Sequence, residues 1–424
     1  MDLMDVAYSM AISVSKTEYL KGTIKIQGSK NTVLPIIAAS IITNGISVIY
    51  NCPDISDVHV MCELLKILNI KTCYEDHVLT IDTTKACYAP LPYDMTCRLR
   101  SSVLMLGAML AKWGRGELGM PGGCTIGMRP IDIHLEGFCK MGVDVDVAGN
   151  MLCCKSFYLT GCDFRLRYPS VGATENLLLA ACGAKGRTIL RGVAKEPEII
   201  ELCNYLQSLG ILIEGVGTDV LVIKGTGYLN CADYVNVFDR IVAGTYLLIA
   251  CAIPSNIILS GIDDIHYIKN ILQVCAKLGL NVIRSEHNLH IQSCGRVNAG
   301  AFATGIYPKF PTDLLPVLIA VLLKGSGDSS VTETVFENRF SVVDELKKLN
   351  GKLFVAGNTV YIERTDNLTG NIVNATDLRQ GAAMVTAGLM SGGNTIINDV
   401  SYIERGYENI VEDLRKVGAE ITYI

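Results

Sequence analysis

The feature that most constrains this chain is a grammar repeated six times. The stretch "SVGATENLLLAACGAKGRTILRGVAKEPEIIELCNYLQSLGILIEG", from Ser170, reads as an apolar helix, a glycine-containing turn and a short strand. A loop, an amphipathic helix ending in Leu-Gly and a pair of strands follow. The same order returns from Asp239, Phe310 and Thr376, and two more copies open at Gly28 and Thr96. The spacing of roughly 70 residues is longer than a solenoid repeat, so each copy is a βα-rich unit of its own. The pattern predicts an α/β protein of six such units.

The last copy is incomplete. It stops after one closing strand, "AEITYI", where others continue into a second such as "DVLVIKG" or "NTVYIE". An unpaired strand, "YLKGTIKIQG", stands ahead of the first copy and is expected to complete the sixth unit. The chain would then divide three units per domain, with residues 29–236 as one domain and residues 1–28 plus 237–424 as the other. A length of 424 residues suits two domains. Two crossings between them would act as a hinge, and the cleft between domains is a common place for a ligand.

Charge narrows the partners. The net charge of -5 and a pI near 5.8 argue against nucleic-acid binding, so any anion site must be local. Two uncharged stretches, from Asn31 and from Ile241, raise a membrane reading. Turn residues break both, and each is expected to be a buried helix, a turn and a buried strand. The N-terminal "MDLMDVAYSM" has Asp where a signal peptide needs Lys or Arg, so a cytoplasmic protein with no membrane insertion is expected. Sixteen cysteines without a Cys-x-x-Cys pair read as reduced thiols, with no metal expected. Cys62, Cys182, Cys203, Cys251 and Cys275 fall in apolar helical patterns and are predicted to be core residues.

Comparing equivalent positions in the copies exposes a second regularity. The start of the first helix holds Lys30, Arg100, Arg240, Asp313 and Arg379, and the loop before the second helix holds Arg129, Lys195, Arg339 and Arg405. Helix N-termini already favour anions, and guanidinium groups add paired donors suited to carboxylate and phosphate. Read singly, each cation could be a solvated surface charge; as a set they point to an anionic ligand. Asp313, in "FPTDL", puts a carboxylate where the other copies put a cation, and would suit a base that takes a hydroxyl proton. An ordinary first-turn acid is its plainer reading. Cys124 lies in "PGGCTIGMRP", a glycine-rich loop near Arg129, where a thiol would favour its reactive thiolate form. The loop has the character of a lid, and either a nucleophile or a proton donor would fit.

At this point "GSKNTVLP", "PGGCTIGMRPIDIH", "PSVGATEN", "KEPEI", "FPTD", "TETVFENRF", "ATDLR" and "ERGYE" carry a resemblance. In that order they resemble the UDP-N-acetylglucosamine 1-carboxyvinyltransferase family of enolpyruvyl transferases, which opens peptidoglycan synthesis. The resemblance runs from about Gly22 to the C-terminus. It implies a two-domain inside-out α/β barrel, and transfer of the enolpyruvyl group of phosphoenolpyruvate to the 3'-hydroxyl of UDP-N-acetylglucosamine with release of phosphate. No cofactor is implied. It assigns Cys124 as proton donor, able also to form an adduct, and Asp313 as base. Lys30, Arg129 and Arg405 would hold the small anion, beside Asn31, and Arg339 and Arg379 its carboxylate. Asn31, Arg100, Arg129, Pro130, Ile131, Asp132, Ile133, His134, Tyr168, Pro169, Ser170, Val171, Gly172, Asp313 and Val335 would line the sugar-nucleotide site.

The chain departs from that family in its N-terminal extension, in Tyr168-Pro169 where some relatives place a lysine, and in "KEPE" for "REPE". The enolpyruvyl transferases acting on shikimate 3-phosphate are a rival, matched in part by "GSK". They want a further Ser and Arg after the lysine, where this chain has "NTVLP", and they lack the cysteine lid. A non-catalytic protein that binds the sugar nucleotide is the other alternative.

Overall fold

The computed structural model describes residues 10–122, 130–226 and 229–424. Two compact units emerge. One takes the N-terminal stretch through Gln27 together with Phe238–Ile424, and the other the described residues between Gly28 and Val237. The chain passes from one to the other at Gln27-Gly28 and at Val237-Phe238.

Among the described residues, each unit carries three sheets on one plan. In the fourth repeat, Pro254–Ser260 pairs antiparallel with Asn288–Cys294, which pairs with Asn281–Ser285; on its other side lies the parallel strand Leu20–Lys25. Five of the six sheets follow this four-stranded order. The second repeat has three strands, and the bridge Leu91–Leu118 marks the place of the parallel strand.

The incomplete sixth repeat is closed by a different strand from the one expected. Ile12–Ser15 lies between Asn394–Asn398 and Ile421–Tyr423, antiparallel to both, whereas Leu20–Lys25 joins the fourth repeat. The reason lies in direction and register. The vacant position needs an antiparallel strand with one buried face, and Ile12 and Val14 supply it by alternation. Leu20–Lys25 runs parallel, the sense set by the crossover helix Arg240–Ala252 that precedes its partner.

The first helix of each repeat is buried on all sides or nearly so. All thirteen residues of Arg240–Ala252 and all eight of Leu315–Leu322 are buried. Apolar character all round suits a helix enclosed by others rather than laid on a surface. Lys30–Ser40, Leu104–Trp113 and Val171–Cys182 form the equivalent core of the other unit. The last two approach so closely that a Cβ at Gly107 would lie 2.2 Å from the carbonyl oxygen of Asn176. Helices therefore lie inside and sheets outside in each unit. Both uncharged stretches fold as helix then strand, Lys30–Ser40 with Ile46–Tyr50 and Arg240–Ala252 with Pro254–Ser260. Among the described residues, no helix is long and apolar enough to cross a membrane. Cys62, Cys182, Cys203, Cys251 and Cys275 are buried, as their patterns predicted.

Candidate active site

Four of the first helices start in a similar way. Ser29 caps Lys30–Ser40, Ser170 caps Val171–Cys182, Asp239 caps Arg240–Ala252 and Asp377 caps Leu378–Met390. A side-chain oxygen takes the first free N–H groups, and Lys30, Arg240 and Arg379 follow directly or one residue later. The cap fixes where the chain enters the helix, and so fixes the direction of the cation. Arg100 opens the short turn Arg100–Val103, and Asp313 lies in Thr312–Leu314.

In the unit containing the C-terminus, the structure brings Asp313, Arg339 and Arg379 together. Nη2 of Arg339 donates to Oδ1 of Asp313 at 2.8 Å. Nε and Nη2 of Arg379 donate to Oδ2 at 3.1 and 2.9 Å. The arginine side chains are 3% and 6% exposed, while that of Asp313 keeps 28% of its surface open. Burial alone would push the Asp313 carboxyl up. The Arg379 and Arg339 charges, with Arg240 behind them, outweigh it and hold Asp313 well below the usual carboxylate range. Among the described residues, Nη1 of Arg379 is buried without a hydrogen-bond acceptor.

Two loops are tied to this cluster by Glu333. Its carboxylate accepts from the Thr312 hydroxyl at 2.6 Å and from the Val335 and Phe336 N–H groups at 2.5 and 3.1 Å. Arg405 ends the turn Val400–Arg405, and the loop after it is clamped by Gln27, which donates to the Gly406 carbonyl and accepts from the Glu408 N–H. Val335 is an exposed loop residue.

In the other unit, Lys30 is ion-paired with the buried Asp57 at 2.6 Å. Asn31 follows it in the first turn of the helix. Arg100 reaches the Pro130 carbonyl at 3.4 Å. Ile131 and Ile133 are buried, and Asp132 opens the helix Asp132–Lys140. Its carboxylate is taken by Arg167 at 2.5 Å, a hydrogen bond that lowers the Asp132 pKa. His134 is buried against Asn176. Tyr168 and Pro169 precede the cap Ser170, which leads into Val171 and Gly172 in the first turn of Val171–Cys182. Cys124 and Arg129 lie outside the described residues.

This arrangement of repeats and charges can be set against known proteins. The profile of the EPSP synthase family (3-phosphoshikimate 1-carboxyvinyltransferase) matches residues 14–414. The chain belongs to this family. Among its relatives is the UDP-N-acetylglucosamine 1-carboxyvinyltransferase 1 of Caldanaerobacter subterraneus subsp. tengcongensis, 39% identical over 409 residues that cover 96% of this chain and 98% of that protein. The UDP-N-acetylglucosamine 1-carboxyvinyltransferase 2 of Carboxydothermus hydrogenoformans is 39% identical over 404 residues, covering 95% and 96%.

Solved structures extend the likeness to the fold of EPSP synthase family members. The enolpyruvyl transferase NikO from Streptomyces tendae superposes with a TM-score of 0.89 at 23% identity, covering 98% of both chains. An EPSP synthase from Acinetobacter baumannii gives 0.77 at 16% identity, covering 98% of this chain and all of the other. The fold is the two-domain inside-out α/β barrel of these enzymes.

Glu333, Gln27 and Asn176 hold the segments that carry the candidate residues, and a comparison of the repeats passes over them. Each acts through a hydrogen bond to a segment distant in sequence, so a comparison of cations at matching positions could not see it. The quoted motifs "TETVFENRF" and "PSVGATEN" contained two of them.

Proposed function

We propose that this EPSP synthase family member is a UDP-N-acetylglucosamine 1-carboxyvinyltransferase of the cytoplasm. It transfers the enolpyruvyl group of phosphoenolpyruvate to the 3'-hydroxyl of UDP-N-acetylglucosamine and releases phosphate. The observation that carries the reading is the carboxylate of Asp313 held among buried guanidiniums. Such a cluster supplies what addition of an alcohol to an anionic enol ester requires: donors for the anion and an acceptor for the alcohol proton. The choice of acceptor sugar follows the relatives.

In the first half of the reaction a proton from Cys124 is added to the methylene carbon of phosphoenolpyruvate. The neighbouring carbon becomes cation-like, the 3'-oxygen bonds to it, and the hydroxyl proton passes to Asp313. In the second half the methyl carbon returns a proton to the Cys124 thiolate, the carbon–oxygen bond to phosphate breaks as the double bond is restored, and the departing phosphate takes up the proton held by Asp313. Lys30, Arg129 and Arg405 are assigned to the phosphate, with Asn31 beside it, and Arg339 and Arg379 to the carboxylate. Arg100, the stretch 129–134, the stretch 168–172 and Val335 are assigned to the sugar nucleotide.

The geometry adds a condition. Gripped by two guanidiniums, Asp313 is a weak base. A substrate carboxylate that drew Arg339 and Arg379 to itself would free Asp313 to take the proton. The test is release of inorganic phosphate from the purified protein. Release is expected only when both substrates are present. Binding of the sugar nucleotide without phosphate release would favour the non-catalytic alternative, and release with shikimate 3-phosphate in its place would favour the rival enzyme.

A further inference from the structure

A buried amide joins three elements that carry the residues assigned to the sugar nucleotide. Asn176, on Val171–Cys182, accepts at Oδ1 from the Gly107 N–H at 2.8 Å. Its Nδ2 donates to the Val103 carbonyl at 2.9 Å and meets Nδ1 of His134 at 2.9 Å. Val103 O and Gly107 N are the pair that a regular helical turn would join, and the Asn176 carboxamide bridges them. The three elements are the turn Arg100–Val103 with the helix after it, the helix Asp132–Lys140, and the helix capped by Ser170.

The bonding leaves one assignment for the imidazole. A backbone N–H only donates, so the amide atom facing Gly107 is oxygen and the other is nitrogen. Both Nδ2 hydrogens are then directed, one to Val103 O and one to His134. Nδ1 of His134 must accept, which places the ring proton on Nε2. That edge faces Gly172: a Cβ there would lie 3.6 Å from Cε1 and 3.8 Å from Nε2 of His134.

We propose that Asn176 is a positioning residue of the sugar-nucleotide half-site, aligning these three elements and holding His134 as the neutral imidazole with its proton on Nε2. The inference rests on the functional reading above. An oxygen in place of Nδ2 would require a proton on Nδ1, turning His134 into the other tautomer or the imidazolium. Asn176→Asp makes that change without altering shape.

Two-bond proton–nitrogen correlation spectra of the full-length protein, with His134 assigned through His134→Gln, should show an unprotonated Nδ1 and a protonated Nε2 at neutral pH. In the Asn176→Asp variant Nδ1 should gain a proton. The KM for UDP-N-acetylglucosamine should rise roughly 10-fold, with the KM for phosphoenolpyruvate within about 2-fold of wild type. If the protein proves not to turn over, calorimetric titration with UDP-N-acetylglucosamine reads the same affinity change, so the two failures stay distinct. A proton on Nδ1 in the unmutated protein would overturn the proposal. So would a folded N176D variant with unchanged affinity for the nucleotide.

Discussion

Replacing Asp313 by Asn keeps the side chain's shape and removes its charge. Arg339 and Arg379 then lose three charge-assisted hydrogen bonds to the carboxylate and face an amide instead. Removing one partner of a buried ion pair costs about 3–5 kcal/mol. Here the Asp313 side chain is 28% exposed and water screens part of the interaction, so about 2–3 kcal/mol at pH 7 is expected. For a unit of about 200 residues that corresponds to a fall in melting temperature of roughly 5–10 °C. The sign with pH follows from linkage. The folded pKa of Asp313 lies below its unfolded value, so its stabilisation is complete above the unfolded pKa of about 3.9 and fades as pH falls through the folded one. The gap between variant and wild type should therefore narrow in strong acid. Turnover should drop about 10²- to 10⁴-fold with the base gone. Phosphoenolpyruvate should bind the variant more tightly and raise its melting temperature more than that of wild type, because it supplies the missing carboxylate. Thermal melts at several pH values, calorimetry and phosphate release together decide the matter. A variant that melts with the wild type, or binds phosphoenolpyruvate more weakly, would refute the argument that these arginines are held by Asp313.

Other predictions follow from buried groups. Gly107→Ala should destabilise the protein by about 3 kcal/mol in urea titration, because its Cβ would meet the Asn176 backbone oxygen at 2.2 Å and Oδ1 at 2.5 Å. Burial, with the Glu198 and Glu196 charges, pushes the Glu175 carboxyl well above the usual range. Its folded form keeps a proton that the unfolded chain releases, so stability is lost as pH rises above about 4.3. Glu175→Gln should thus gain on wild type in unfolding midpoints between pH 5 and pH 8, and a constant difference would count against it. An epoxide phosphonate that mimics phosphoenolpyruvate should label Cys124 in peptide mass mapping. Burial pushes the Cys62 thiol up to about 11 and those of Cys154 and Cys203 to about 12, which removes them as competitors. Label on the exposed Cys73, Cys87, Cys139 or Cys294 would argue against an activated thiol in the glycine-rich loop.

Much of the architecture is written in periodicity. The apolar runs from Asn31 and Ile241 announce helix then strand, and the repeat of that order determines six similar units. The positions of Lys30, Arg240, Asp313 and Arg379 at helix starts are equally local, because capping and helix onset are matters of neighbouring residues. Pairing between distant segments is not local, and there the sequence pointed to the N-terminal region but not to the strand within it. That Ile12–Ser15 rather than Leu20–Lys25 closes the sixth sheet depends on strand direction across nearly the whole chain. That Asp313 lies between Arg339 and Arg379, and Lys30 against Asp57, is likewise decided by packing. The residue types at each helix start were determined by the sequence alone, and the partner of each by tertiary structure, since hydrogen bonds and charge pairs act over a few ångströms whatever the separation along the chain.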